Sequence, residues 1–144
     1  MIEGIMDLYQ ILGILLAFAA LMVGLWKAIQ FSNKNKSERL SKEMDLLIAP
    51  IYSKIGNINI FLKGAPTYQN NPKGREYFEF WDNVKKYKHL GSESVISAID
   101  DYLKNKINTV GDRNEDENYA MAKEQLYKVV TERYNELAEL LQTI

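Results

Sequence analysis

The chain opens on an apolar run that carries almost no polarity. From Leu8 to Ile29 the strongly polar side chains are Gln10 and Lys27, one near each end. At about 1.5 Å per helical residue the stretch reaches about 33 Å, enough to cross a hydrocarbon core of about 30 Å. Gln10 and Lys27 are long enough to turn toward headgroups. Tyr9 and Trp26 fall where interfacial aromatic rings are favoured. A helix on the surface of a soluble core would carry a polar face, and this one has none. A secretion signal needs a basic start and a small-residue cleavage site. Here Glu3 and Asp7 precede the run, and the "AFA" at 17–19 is followed closely by "LMVGLW". The pattern predicts an uncleaved transmembrane helix over about 8–29.

Beyond the polar, basic stretch "SNKNKSERL", apolar residues recur at steps dominated by three and four. Leu40, Met44, Leu47, Ile48, Ile51, Ile55, Ile58 and Leu62 form one stripe, the mark of an amphipathic helix. Pro50 interrupts it without disturbing the register, which predicts a kinked helix. "KGAPTYQNNPKG" (63–74) is dense in turn residues and reads as a loop. A second stripe, Tyr77, Phe80, Trp81, Val84 and Tyr87, is heavily aromatic and reads as core. A third, Val95, Ile96, Ile99, Leu103 and Ile107, follows Ser92, which has the chemistry of an N-cap. A fourth, Tyr119, Ala122, Leu126, Val130, Tyr134, Leu137 and Leu141, predicts a helix from about Glu115 to Gln142.

No segment alternates like a strand. The expected fold is all-α: an N-terminal transmembrane helix, then an antiparallel bundle of about four helices. The domain reading is an anchor at 1–31, a basic linker at 32–37 and a helical domain at 38–144.

Charge fixes an expected orientation. Lys27, Lys34, Lys36 and Arg39 follow the span and nothing basic precedes it. Basic flanks are retained in the cytoplasm. The expectation is a single-pass protein of the cell membrane, N-terminus outside and C-terminal domain cytoplasmic. Net charge is −1, which steers the chain toward no partner in bulk. "KKYKHL" mixes basic and aromatic residues but is too short for a nucleic-acid face. There is no cysteine, so disulfide and thiolate chemistry are excluded.

Within the span, Gly13, Ala17, Ala20 and Gly24 lie at steps of four, three and four. Such a stripe lets two helices approach closely, so a homodimer through the transmembrane helix is a candidate assembly. In the 63–74 loop, Tyr68, Asn70 and Asn71 are the candidate binding residues. Catalytic signals are sparse. His89 and Glu93 stand four apart, but Gly91 and Ser92 between them mark a helix boundary, and a zinc site needs further ligands. "DRNEDEN" lacks the spacing of a calcium loop. No phosphate loop, GxSxG elbow or dinucleotide fingerprint is present. No cofactor is expected.

One N-terminal span, then "LIAPIY", then "FWDNVKKYKHL", resembles uncharacterised small prokaryotic single-pass membrane proteins with a cytoplasmic helical domain. That resemblance implies neither an activity nor functional residues. The reading from the residues is a membrane-tethered interaction module, a non-enzymatic scaffold, adaptor or accessory subunit with an unknown protein partner. Two alternatives stand beside it. One is a membrane-active effector that oligomerises through its span. The other is a hydrolase using Glu76, Glu79 and Asp82.

Overall fold

The computed structural model describes residues 2–66, 71–107 and 113–143, with side-chain surroundings for 7–66, 71–106 and 117–143. Among the described residues the chain is all-helical and no strand occurs. It separates into two compact units, Met1–Glu38 and Arg39–Ile144.

The first unit is formed by α1, which spans Ile2–Glu43 and ends in the second unit. Residues 32–37 are turns of this helix rather than irregular chain. Its apolar side chains from Leu8 to Phe31 are all exposed, Leu16 at 72 %.

In the second unit a wide π-turn, Met44–Ile48, follows α1 and leads into α2, Ala49–Ser53. The Ala49 N–H reaches back five residues to the Met44 carbonyl. A proline lacks an N–H, and its ring crowds the carbonyl four residues back. The π-turn shifts the hydrogen-bond register by one residue directly before Pro50, and the chain passes Pro50 without a break. Ser53 instead ends the helix, so the expected continuation to Leu62 is wrong. Lys54 leaves helical geometry at φ −102° and ψ 0°. Gly56 then takes φ +82°, a left-handed conformation that glycine adopts without steric cost. Ile58, placed on the buried stripe by periodicity, is 77 % exposed in the turn that follows.

α3 spans Pro72–Tyr87 and a single 3₁₀ turn, Lys88–Leu90, follows it. Proline at the first helical position suits a helix start, where its missing N–H has no intrahelical partner anyway. Gly91 then passes close to α2's approach: a Cβ there would lie 3.0 Å from Leu47 Cδ2 and from Val95 Cγ1. α4 spans Glu93–Ile107 and α5 spans Arg113–Thr143. As the pattern predicts, Ser92 precedes α4, and its carbonyl accepts the Ile96 N–H at 2.9 Å.

Phe61 is the hub of the core. Its ring meets Trp81, Tyr102 and Tyr127 edge-on, with centroids 5.5, 5.6 and 4.8 Å away. These are favourable aromatic geometries. Around it Leu47, Ile48, Ile51, Ile60, Val95, Ile99, Leu126, Val130 and Leu137 are completely buried. α4 and α5 supply the most extensive packing of any two elements.

Candidate functional site

The segment after α2 is irregular but firmly tied. The Gly56 N–H donates to the Tyr127 hydroxyl at 3.2 Å. Trp81 Nε1 donates to the Ile60 carbonyl at 2.9 Å, and the Tyr77 hydroxyl to the Gly64 carbonyl at 3.0 Å. The Gly64 N–H in turn donates to the Lys106 carbonyl at 3.2 Å. These bonds fix the Gly64–Ala65 turn against α3 and α4.

The three elements line a half-open cavity of about 300 Å³. Its walls are the Gly64–Ala65 turn, Tyr77, Phe78, Trp81, Asp82 and Lys85 of α3, and Leu103 and Lys106 of α4. The lining is predominantly carbon. Lys106 is the exception in kind. It is only 6 % exposed, and its Nζ has no hydrogen-bond partner among the described residues. The ammonium stands over the Tyr77 ring, 3.8 Å from the centroid, and 5.2 Å from that of Trp81. Ring faces attract a cation, yet they fill none of its donor directions. Burial pulls the Lys106 pKa down to about 7, because a low-dielectric surrounding disfavours the charged form.

Nearby, the Tyr102 and Tyr119 hydroxyls share a hydrogen bond at 3.1 Å. Burial raises the pKa of both. A second pocket of about 290 Å³ is lined by Arg39, Glu43, His89, Ser92 and Arg133 among others. There Glu43 is buried and held by Arg133.

The residues singled out from sequence are scattered. Gly13, Ala17, Ala20 and Gly24 all lie on the exposed surface of α1. A Cβ at Gly13 or Gly24 would meet nothing within 4 Å. Tyr68 and Asn70 lie outside the described residues. Asn71 is the N-cap of α3, its Oδ1 accepting the Lys73 N–H at 3.2 Å. Of the three carboxylates, Glu76 pairs with Lys54 at 3.0 Å, and Glu79 is exposed. Asp82, also exposed, is the one that reaches the cavity wall. His89 is exposed, with Nδ1 3.0 Å from the Lys86 carbonyl oxygen.

Sequence reasoning missed Lys106. The signal was there: Val95, Ile99, Tyr102 and Lys106 follow at steps of four, three and four, so the lysine falls on the buried stripe of α4.

No protein-family model, curated protein or solved structure matches the chain.

Proposed function

We propose that the chain is a membrane-tethered helical interaction module, a scaffold, adaptor or accessory subunit. On this reading residues 8–29 cross the cell membrane with the N-terminus outside. Residues 38–144 then form an antiparallel bundle in the cytoplasm. One observation carries the reading. α1 is long and apolar enough to span a bilayer, and none of its most apolar stretch is buried. So large a continuous apolar surface is not left in water by soluble monomers, and a helix satisfies its backbone groups internally, as the bilayer core requires. The basic flank supports the orientation. The antiparallel reading draws support from α4 and α5: Tyr102 meets Tyr119, while Ile96 and Ser97 share a groove with Gln125 and Val129.

The test has two parts. Full-length protein should resist carbonate extraction, and a C-terminal reporter should be active only in the cytoplasm. Native electrophoresis of mild-detergent extracts should then show the chain in an assembly larger than itself. Recovery in the soluble fraction without detergent removes the anchor, and a strictly monomeric species removes the module.

A further inference from the structure

We propose that the cavity between the Gly64–Ala65 turn, α3 and α4 is a binding site for a small apolar monocarboxylate. Its carboxylate pairs with the Lys106 ammonium, and its hydrocarbon lies against Tyr77, Phe78, Trp81 and Leu103.

The argument starts from what the cavity lacks. A buried ammonium has three N–H donors, and those of Lys106 meet no acceptor among the described residues. Such a group is costly unless it is paired and hydrogen-bonded. The ammonium is sealed against the Tyr77 and Trp81 rings, so pairing takes a rotation of the Lys106 side chain toward the cavity that it lines. A water molecule would satisfy a donor but would leave the charge uncompensated. An anion does both, and charge-assisted hydrogen bonds are the stronger kind.

The lining then selects among anions. The walls are nearly all carbon, which suits an aliphatic or aromatic tail and not a heavily hydrated ion. A phosphate dianion would need more donors than one lysine offers, and Asp82 on the same wall repels two charges more strongly than one. Lys85, the other cation on the wall, is exposed. One negative charge on an apolar body fits. The volume sits at the small end of ligand pockets, about 300–1,000 Å³, so the ligand is a short-chain or single-ring acid. Burial disfavours the Lys106 charge, and a carboxylate beside it offsets that cost by favouring the charged form. The ionisable groups that share the cavity wall with Lys106 are Tyr77, Asp82 and Lys85 of α3.

Trp81 provides a local probe. The chain has two tryptophans, so Trp26→Phe leaves Trp81 alone to report. Full-length W26F protein in non-ionic detergent is titrated with hexanoate and, separately, with hexan-1-ol. The Trp81 emission should respond saturably to hexanoate, with affinity at least about tenfold higher than for the alcohol. Affinity should fall as pH rises from 6 to 9, where Lys106 loses its charge. Lys106→Met, which keeps the length and apolar stem, should abolish the preference for the acid over the alcohol. In the unsubstituted chain, hexanoate should slow acetylation of Lys106 and not of exposed Lys85, read by peptide mass spectrometry. Equal responses to acid and alcohol, an unaltered preference in K106M, or a Lys106 acetylation rate indifferent to hexanoate would each overturn the proposal.

Discussion

Arg133 on α5 grips Glu43, the last residue of α1, with one edge of its guanidinium. Nε donates to Oε2 at 2.8 Å and Nη2 to Oε1 at 3.1 Å. The Glu43 side chain is 3 % exposed and that of Arg133 16 %. Burial works against the arginine's charge. The hydrogen bonds and charges of Glu43 and Glu136 outweigh it and hold the Arg133 pKa above its ordinary value.

This pair should be costly to break and cheap to replace. Removing one partner strands a buried charge, at about 3–5 kcal/mol. Arg133→Met should lower stability by that amount in denaturant titration of the full-length protein. Glu43→Leu added to Arg133→Met should recover most of the loss, since apolar pairs often substitute well for buried ionic ones. An Arg133→Met midpoint unchanged from the parent would show that the pair contributes nothing.

Lys106 should give stability a rising pH dependence. Its folded pKa is about 7 against 10.5 for the free side chain. Between those values the unfolded chain binds a proton that the folded chain does not, so stability increases with pH. The slope approaches about 1.4 kcal/mol per pH unit at most. Near pH 10 the trend should reverse, because Tyr102, Tyr119 and Tyr127, all raised by burial, keep their protons in the folded state. Lys106→Met should flatten the rise and stabilise the protein at pH 6 by about 1–4 kcal/mol. Thermal melts at pH 6, 8, 9 and 11 read both effects.

Trp81 should tolerate neither truncation nor loss of its N–H. Trp81→Ala removes a large buried ring, at about 3–5 kcal/mol. Trp81→Phe keeps most of the ring but strands the Ile60 carbonyl, at about 1–3 kcal/mol. A Phe variant as stable as the parent would mean that the Ile60 carbonyl finds another donor.

The small-residue stripe of α1 is testable because the single helix has room there. A Cβ added at Gly13 or Gly24 meets nothing within 4 Å. Weaker association would therefore report helix–helix packing and not a damaged fold. Both should weaken a dimer in detergent cross-linking, and Ala19→Ile, on another face, should not. Equal effects from all three would rule out the stripe as a contact.

The helices were legible in the sequence wherever burial repeats at helical spacing. Tyr77, Trp81 and Val84, and Leu126, Val130 and Leu137, are buried as the stripes predict. The misses share a physical cause. Ile60 and Phe61 are core residues on irregular chain, and periodicity has no purchase where there is no period. Ile58 shows the reverse error, its spacing from Ile51 and Ile55 being accidental once Gly56 turns the backbone. Lys106 was passed over because an amine does not count as apolar, although its stem buries like an apolar group. The cavity was invisible for a further reason: its walls come from three segments joined by hydrogen bonds to the Gly64 backbone, which no local pattern records.

Glu43 and Arg133 stand 90 residues apart in the chain, and that separation imposes an order on biosynthesis. At roughly 5–20 residues per second, Glu43 waits roughly 5–18 seconds for its partner to be polymerised. Phe61, Trp81 and Tyr102 are made in the first two thirds of that interval, Leu126 and Val130 of α5 come only at its end, and Leu137, which completes the core, follows it. The apolar N-terminal segment leaves the ribosome long before the domain can close. A nascent chain halted ahead of α5 therefore exposes an unsealed aromatic face, and this is the stage at which a chaperone has the most to bind.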